Sequence, residues 1–224
     1  MRSERSWRVM GTVAIAIGLV SFVVSNVLQW SLESGGESPS AVISAQPTAW
    51  LIAGISAVLG PLFWAGGLLV VVGLVRERGW VLTTIGGLVS AIGLAVGVGH
   101  LALFFGLYGD LAAAGISDSA AKAVLGADNA NALGTLLLIV FLVGFCLGPI
   151  VLTVGLRRAR LVPVWLPVVA LVAAVANFVG GPVAGILQLI ALLVVFVPIA
   201  VLLVRPGPFL VGRRSADGAV AAAN

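Results

Sequence analysis

Charged side chains are scarce in this chain. Only 9% of its 224 residues are Asp, Glu, Lys or Arg, whereas 61% are hydrophobic. An ordinary soluble domain is about 25% charged. A soluble fold of this size could not bury so much apolar surface, because polar groups must still cover its exterior. The composition excludes a soluble globular protein and predicts an integral membrane protein.

Cysteine and histidine each occur once, as Cys146 and His100. A single cysteine allows no intramolecular disulfide, and in the middle of an apolar run it packs as a small hydrophobe. One histidine and one cysteine cannot supply the ligands of a zinc or iron–sulfur site, so we expect no metal and no other cofactor. The sequence also lacks a Walker loop, Gly-x-Ser-x-Gly and His-Glu-x-x-His. We therefore expect no enzymatic activity.

Lysine is nearly absent, because eleven of the twelve basic residues are arginine. This bias is typical of a high-GC bacterial gene. The isoelectric point is about 10.6, which could suggest nucleic-acid binding. The arginines, however, occur in short clusters between long apolar runs, which is the pattern of membrane topology signals. We therefore expect no nucleic-acid partner.

Acidic and basic side chains are missing from five long segments, at 9–32, 38–75, 79–109, 129–156 and 161–204. A helix needs about 20 residues to cross the hydrocarbon core, so each of the first four segments holds one span. The last is long enough for two, and its Asn-Phe-Val-Gly-Gly-Pro stretch at 177–182 breaks a helix. The sequence thus predicts an all-α, polytopic transmembrane helix bundle in one domain, 1–205, followed by a disordered cytoplasmic tail, 206–224. The six spans are expected at about 9–29, 49–75, 80–106, 132–156, 162–179 and 183–204.

The basic residues indicate the orientation of these spans. With six spans, all eleven arginines fall on one face of the membrane and Lys122 alone falls on the other. The positive-inside rule makes the arginine-rich face cytoplasmic, which predicts that both termini are cytoplasmic in a multi-pass plasma-membrane protein. A five-span arrangement would move the last three arginines to the outside. The arginines that lie next to the ends of the spans, and so carry this topology signal, are Arg76, Arg78, Arg157, Arg158, Arg160 and Arg205.

Small residues follow one face of two predicted spans. In the third span this face contains Gly86, Ser90, Gly93 and Gly97, and His100 continues it because residues three and four apart share a helical face. The first span has a similar face that includes Gly11 and Gly18. Small residues let helices approach closely in lipid. These faces are therefore predicted to pack helix against helix, with His100 directed toward protein.

A layer of polar residues lies near the outer ends of the predicted spans. It contains His100, Asn26, Gln29, Asn177 and Gln188. One interpretation is that these side chains lie at the membrane interface and are satisfied by water or by one another. The other is that they line a shallow, outward-facing ligand-binding cavity with His100 at its floor, since an ionisable group within a membrane is a candidate functional residue.

The loop between the fourth and fifth predicted spans carries one resemblance. The segment Gly155-Leu-Arg-Arg-Ala-Arg-Leu-Val-Pro-Val-Trp-Leu166 resembles the inner loop of six-helix bacterial membrane proteins that are classed as domains of unknown function. In these proteins a helix ends with Gly-x-Leu, and a basic loop leads to a helix start of the Pro-x-x-Gly type. This chain has Pro167 in place of the usual small residue. The resemblance implies a six-helix membrane fold and brings no activity with it.

Three function classes follow from the sequence. No Asp or Glu lies within any predicted span, whereas proton-coupled carriers usually keep a carboxylate at depth. The expected function is a non-enzymatic accessory or regulatory protein of the lipid bilayer, which packs against a membrane-protein partner or a second copy of itself. The alternative is a small-solute carrier or binding protein with an outward-facing cavity. A membrane-embedded enzyme is the third class, and it would require His100 to contact Asp110 beside a serine.

Overall fold

A computed structural model describes residues 2–33, 39–129 and 131–205, and within these ranges the regular structure is helical, with no strand. The predicted tail at 206–224 lies outside the described residues. The elements are α1 (Arg2–Glu33), α2 (Pro39–Ala45), α3 (Pro47–Val72), α4 (Trp80–Ala113), α5 (Asp118–Asn129), α6 (Ala132–Leu142), a π-helical turn (Val143–Leu147), α7 (Gly148–Arg158), α8 (Trp165–Val179) and α9 (Gly181–Val204).

Five helical segments are long and apolar enough to cross a membrane. They are α1, α3, α4, α9 and the continuous segment formed by α6, the π-turn and α7. The all-helical, membrane-type fold predicted from composition is therefore present. Helix α8 is also apolar, but it has 15 residues and rises only about 22 Å, less than the roughly 30 Å of a hydrocarbon core.

Helix α8 begins at Trp165, three residues later than the sequence predicted. The reason lies in how α7 ends. Arg160 adopts a left-handed backbone conformation with φ 60°, and the Leu161 amide donates to the Leu156 carbonyl at 3.0 Å. This hydrogen bond closes the helix end. Pro163 follows and disfavours helical backbone in the residue before it.

The turn between α8 and α9 occurs at the glycine pair that the sequence singled out. Gly180 has φ 71° and Gly181 has φ 82°, a backbone region that glycine enters without steric cost. Pro182 then occupies the first turn of α9, where its missing amide hydrogen costs no hydrogen bond. The two apolar helices therefore form a tight hairpin.

The arginine-bearing segments meet at one end of the bundle, which we call the arginine end. Here Arg8 of α1 and Arg76 of the α3–α4 turn line one furrow. Gly79 lies so close to α7 that an added Cβ atom would overlap the Gly155 carbonyl oxygen and approach the side chain of Arg158. The C-terminal part of α9 also reaches this end, because the Thr12 hydroxyl lies 3.1 Å from the Ala200 carbonyl oxygen. Helices α1 and α9 are thus antiparallel neighbours.

The small residues of α4 pack directly against the α6–α7 segment. Gly86, Ser90, Gly93 and Gly97 are all buried. A Cβ atom at Gly93 would overlap the backbone of Gly144, and one at Gly97 would overlap the ring of Phe141. We call this contact the α4 seam. Its backbones approach so closely because glycine and serine leave room for them.

Helices α1 and α3 form a second close contact, the α1 seam. A Cβ atom at Gly11 would lie 2.8 Å from the Val70 side chain, and one at Gly18 would meet Trp64. From the other side, Gly67 of α3 faces α1 in the same way. A buried core that includes Trp64 and Leu152 joins α1, α3 and α4 to α7, α8 and α9.

Candidate functional site

A cavity of about 170 Å³ lies between the helices, in the half of the bundle that is remote from the arginine end. Its walls come from α1, α3, α4, α6, the π-turn, α8 and α9. The described lining residues are Phe22, Ser25, Asn26, Gln29, Ser56, Ala57, Pro61, Trp64, Leu94, Leu101, Phe105, Phe141, Phe145, Asn177 and Gln188.

Carboxamide side chains from three helices converge on this cavity. Asn26 and Gln29 come from the last turns of α1, Asn177 from the end of α8 and Gln188 from the start of α9. We call this part of the bundle the amide end. The Gln188 amide donates to Asn177 Oδ1 at 2.6 Å, and Asn26 Nδ2 donates to the Phe22 carbonyl oxygen of its own helix at 2.8 Å. A carboxamide can make up to four hydrogen bonds, so it can hold a neighbour and still bind a ligand.

Aromatic rings form the deeper part of the lining. Trp64 is 1% exposed, and its ring meets Phe22 at 63° and Phe145 at 85°. On its other side it meets Phe196 nearly perpendicularly, with 4.6 Å between ring centroids. These edge-to-face contacts favour fixed ring positions. The cavity therefore combines a polar end with a rigid aromatic end.

The indole Nε1 of Trp64 is buried and has no hydrogen-bond partner among the residues that the structure describes. Indole N–H is a donor only, and buried donors are normally paired. Leaving one unpaired costs about 1–3 kcal/mol. Trp64 is thus a lining residue that carries a buried donor without a partner in the described structure.

Pro61 also lines the cavity, and it interrupts the hydrogen bonding of its own helix. It lies inside α3, and proline has no amide hydrogen to donate to the carbonyl four residues earlier. That carbonyl belongs to Ala57, and both residues line the cavity. The cavity wall thus includes the point at which α3 lacks one helical hydrogen bond.

The π-turn lies at the same depth as the aromatic rings. It contains Phe145, whose ring lies 5.7 Å from Phe22 and 5.3 Å from Phe141, measured between centroids. Short π-helical turns within α-helices often occur at functional sites. Here the turn carries one of the rings that line the cavity.

His100 is not among the residues that line the cavity. Its ring stacks on Phe141, with 6.4 Å between centroids and 28° between planes, and Phe141 lines the cavity on its other side. The shared face with Gly97 explains this position, because Gly97 also contacts Phe141. His100 therefore packs against α6, and the expectation that it forms the cavity floor does not match its position.

Among the lining residues that were not predicted as site residues from the sequence are Trp64, Ser25 and Ser56. Only one signal could have found Trp64. It lies in the middle of the predicted span at 49–75, whereas indole rings prefer the membrane boundaries. Ser25 continues the small-residue face of the first span, which predicted helix packing and not a ligand site, and nothing in the spacing of Ser56 set it apart.

The chemistry of the site is that of binding groups. The described lining residues include no Asp, Glu, Lys, Arg, His or Cys. In the described part of the chain, no three His, Cys, Asp or Glu side chains are close enough together to hold a metal ion. No family model, curated protein or solved structure matches this chain, so the site's function must be argued from its geometry.

Proposed function

We propose that this protein is a multi-pass membrane protein that binds a small, uncharged, amphipathic solute in the cavity at its amide end. The observation that carries the proposal is the buried Trp64 donor without a partner, in a cavity whose other end is lined by carboxamides. Small-molecule sites are mostly apolar concavities with a few convergent polar groups. This cavity has both features.

The lining limits the size and charge of the solute. The cavity volume is about 170 Å³, and an apolar cavity of about 150 Å³ holds one benzene molecule. A charged solute would lose its hydration without gaining a counter-ion among the described lining residues, which is costly. The expected solute therefore has about one ring or a few carbons, a hydrogen-bond acceptor for Trp64 and a polar group for the carboxamides.

The same lining favours binding over catalysis. Acid–base and nucleophilic catalysis need a titratable group or an activated nucleophile next to the reacting atoms. The described lining offers serines without a neighbouring base, carboxamides and aromatic rings. We therefore propose a solute-binding or carrier role without chemistry.

Ligand-observed ¹⁹F NMR with 4-fluorobenzyl alcohol tests this proposal, using the full chain in nanodiscs and empty nanodiscs as the reference. We expect specific binding above the empty discs. Trp64→Phe removes the donor but keeps an aromatic ring, and it should weaken binding of the alcohol about five-fold, the value of one net hydrogen bond. Binding of 4-fluorotoluene, which lacks the acceptor, should stay unchanged by this substitution.

The matched control is Trp80→Phe, because Trp80 is 52% exposed and does not line the cavity. It should leave both affinities at their wild-type values. The proposal fails if the alcohol binds to discs that contain the protein no better than to empty discs. It also fails if Trp64→Phe weakens binding of the alcohol and of 4-fluorotoluene equally.

We also propose that α8 crosses the membrane, which gives six spans with both termini cytoplasmic. The contact of Thr12 with Ala200 supports an even number of crossings, because α9 then ends on the side where α1 begins. The gathering of Arg8, Arg76 and Arg158 at one end supports the cytoplasmic assignment through the positive-inside rule. Local thinning of the bilayer accommodates a short span.

Cysteine labelling in intact cells checks this topology. In a Cys146→Ala background, Val183→Cys lies beside the α8–α9 turn and Arg205→Cys lies at the end of α9. A membrane-impermeant maleimide should label the first from outside, and the second only after permeabilisation. The reverse result would mean that α8 does not cross the membrane.

An accessory role is the second candidate function. The α8–α9 turn presents apolar side chains at the amide end, with Phe178 69%, Val179 71% and Val183 81% exposed. Such a patch near a headgroup region suits a helix of a partner membrane protein. If a partner protein co-purifies with the wild-type chain but not with Phe178→Ser, and the variant still binds the solute, this function is favoured over the first.

A further inference from the structure

A second concavity lies at the arginine end, on the outer surface of the bundle. It is a furrow of about 500 Å³ between the start of α1 and the last turns of α3. It shares no lining residue with the central cavity.

Missing side chains create the furrow. Gly66, Leu69, Val70 and Gly73 line it, and their spacing places them on one face of α3. A Cβ atom at Gly66 would meet nothing within 4 Å, so this glycine is not required for packing between helices. From Gly66 to Gly73 the furrow runs about 10 Å along the helix axis, toward the middle of the bundle.

Cationic and aromatic side chains lie at the mouth of the furrow. Arg8 and Arg76 both line it, together with Trp7. Trp7 is 62% exposed, as expected of an indole ring at the level of lipid headgroups. Glu77 follows Arg76 in sequence but is not among the lining residues. The furrow thus joins two positive charges to an apolar channel.

We propose that this furrow binds an anionic phospholipid. Its phosphate lies between the two guanidinium groups, which donate paired hydrogen bonds to phosphate oxygens. One acyl chain lies along the glycine-lined face of α3. Basic sites between membrane helices on the cytoplasmic side recognise anionic lipid headgroups by this chemistry. A free phosphate ion would leave the apolar channel without a role, so the occupant is a lipid.

The site is independent of the solute-binding proposal, because the two concavities lie at opposite ends of the bundle. Only the leaflet from which the lipid comes rests on the topology proposed above. If the solute does not bind, the lipid-site proposal is unaffected, and if the lipid does not bind, the solute-binding proposal is unaffected.

Native mass spectrometry of the full chain in a neutral detergent tests the site, with phosphatidylglycerol and phosphatidylcholine titrated separately. We expect the wild-type chain to prefer phosphatidylglycerol. Arg8→Gln and Arg76→Gln should each lower this preference about five-fold, the size expected for one basic residue near anionic lipid. Gly66→Leu fills the apolar channel and should weaken binding of the lipid while keeping both charges.

The matched control is Arg158→Gln, which removes an exposed arginine from the same end but outside the furrow. It should leave the preference unchanged. An equal loss in this control would show that overall charge, not the furrow, selects the lipid. Wild-type affinity of phosphatidylglycerol for Gly66→Leu would show an anion site without an acyl-chain channel. Competition by glycerol phosphate at the same concentration as the lipid would show the same. Each result would overturn the proposal.

Discussion

Replacing Gly93 with alanine is expected to lower the free energy of unfolding by about 3 kcal/mol or more. The added methyl group would overlap the backbone of Gly144, and no change of rotamer can move a backbone atom away. Overpacking a core usually costs about 1–3 kcal/mol even when side chains can adjust. Unfolding in mixed micelles with increasing sodium dodecyl sulfate measures the change.

Gly99→Ala is the control for this substitution, because it makes the same chemical change on the same helix. A Cβ atom at Gly99 would lie 3.6 Å from a methyl group of Leu137, which is ordinary contact. Alanine is also the better helix former, by up to about 1 kcal/mol. Gly99→Ala should therefore be neutral or stabilising. If both variants lost the same stability, the α4 seam would not be a backbone-to-backbone contact.

Replacing Trp64 with alanine is the second substitution with a large expected effect. The indole is fully buried among Phe22, Phe145 and Phe196, so its removal leaves a void that the rigid surroundings cannot fill. Such truncations cost about 3–5 kcal/mol. The same unfolding experiment measures the loss, and the void should also let the cavity accept a larger solute.

Two further variants separate the possible causes of this loss. Trp80→Ala removes an exposed indole and should change stability by no more than about 0.5 kcal/mol. Trp64→Phe should cost clearly less than Trp64→Ala, because it keeps a ring and removes a donor that has no partner in the described structure. A loss as large as that of the alanine variant would mean that the indole N–H is paired in the folded protein.

The membrane class and the main helices could be predicted from sequence because the relevant physics is local. Charge-free segments of sufficient length and glycine–proline breaks are visible in the residues themselves. The break at Gly180 was predicted for this reason. The start of α8 was not, because it depends on how Arg160 and Leu161 close the preceding helix, and arginine gives no signal for a left-handed backbone.

The cavity could be predicted only in part. Asn26, Asn177 and Gln188 were expected in one layer because depth can be counted along a helix, and the structure places all three in one lining. Which side of α4 faces that lining depends on how the helices pack. His100 and Leu101 are adjacent in sequence, yet only Leu101 lines the cavity. The π-turn has no recognised sequence signal.

The two glycine seams have a consequence for motion. Each holds a pair of helices together at close range, α1 with α3 and α4 with α6–α7, so neither pair separates easily. The α8–α9 hairpin supplies the remaining wall and holds both members of the Asn177–Gln188 pair. For the solute-binding role proposed above, we expect the solute to enter or leave when this hairpin moves away from the two seams.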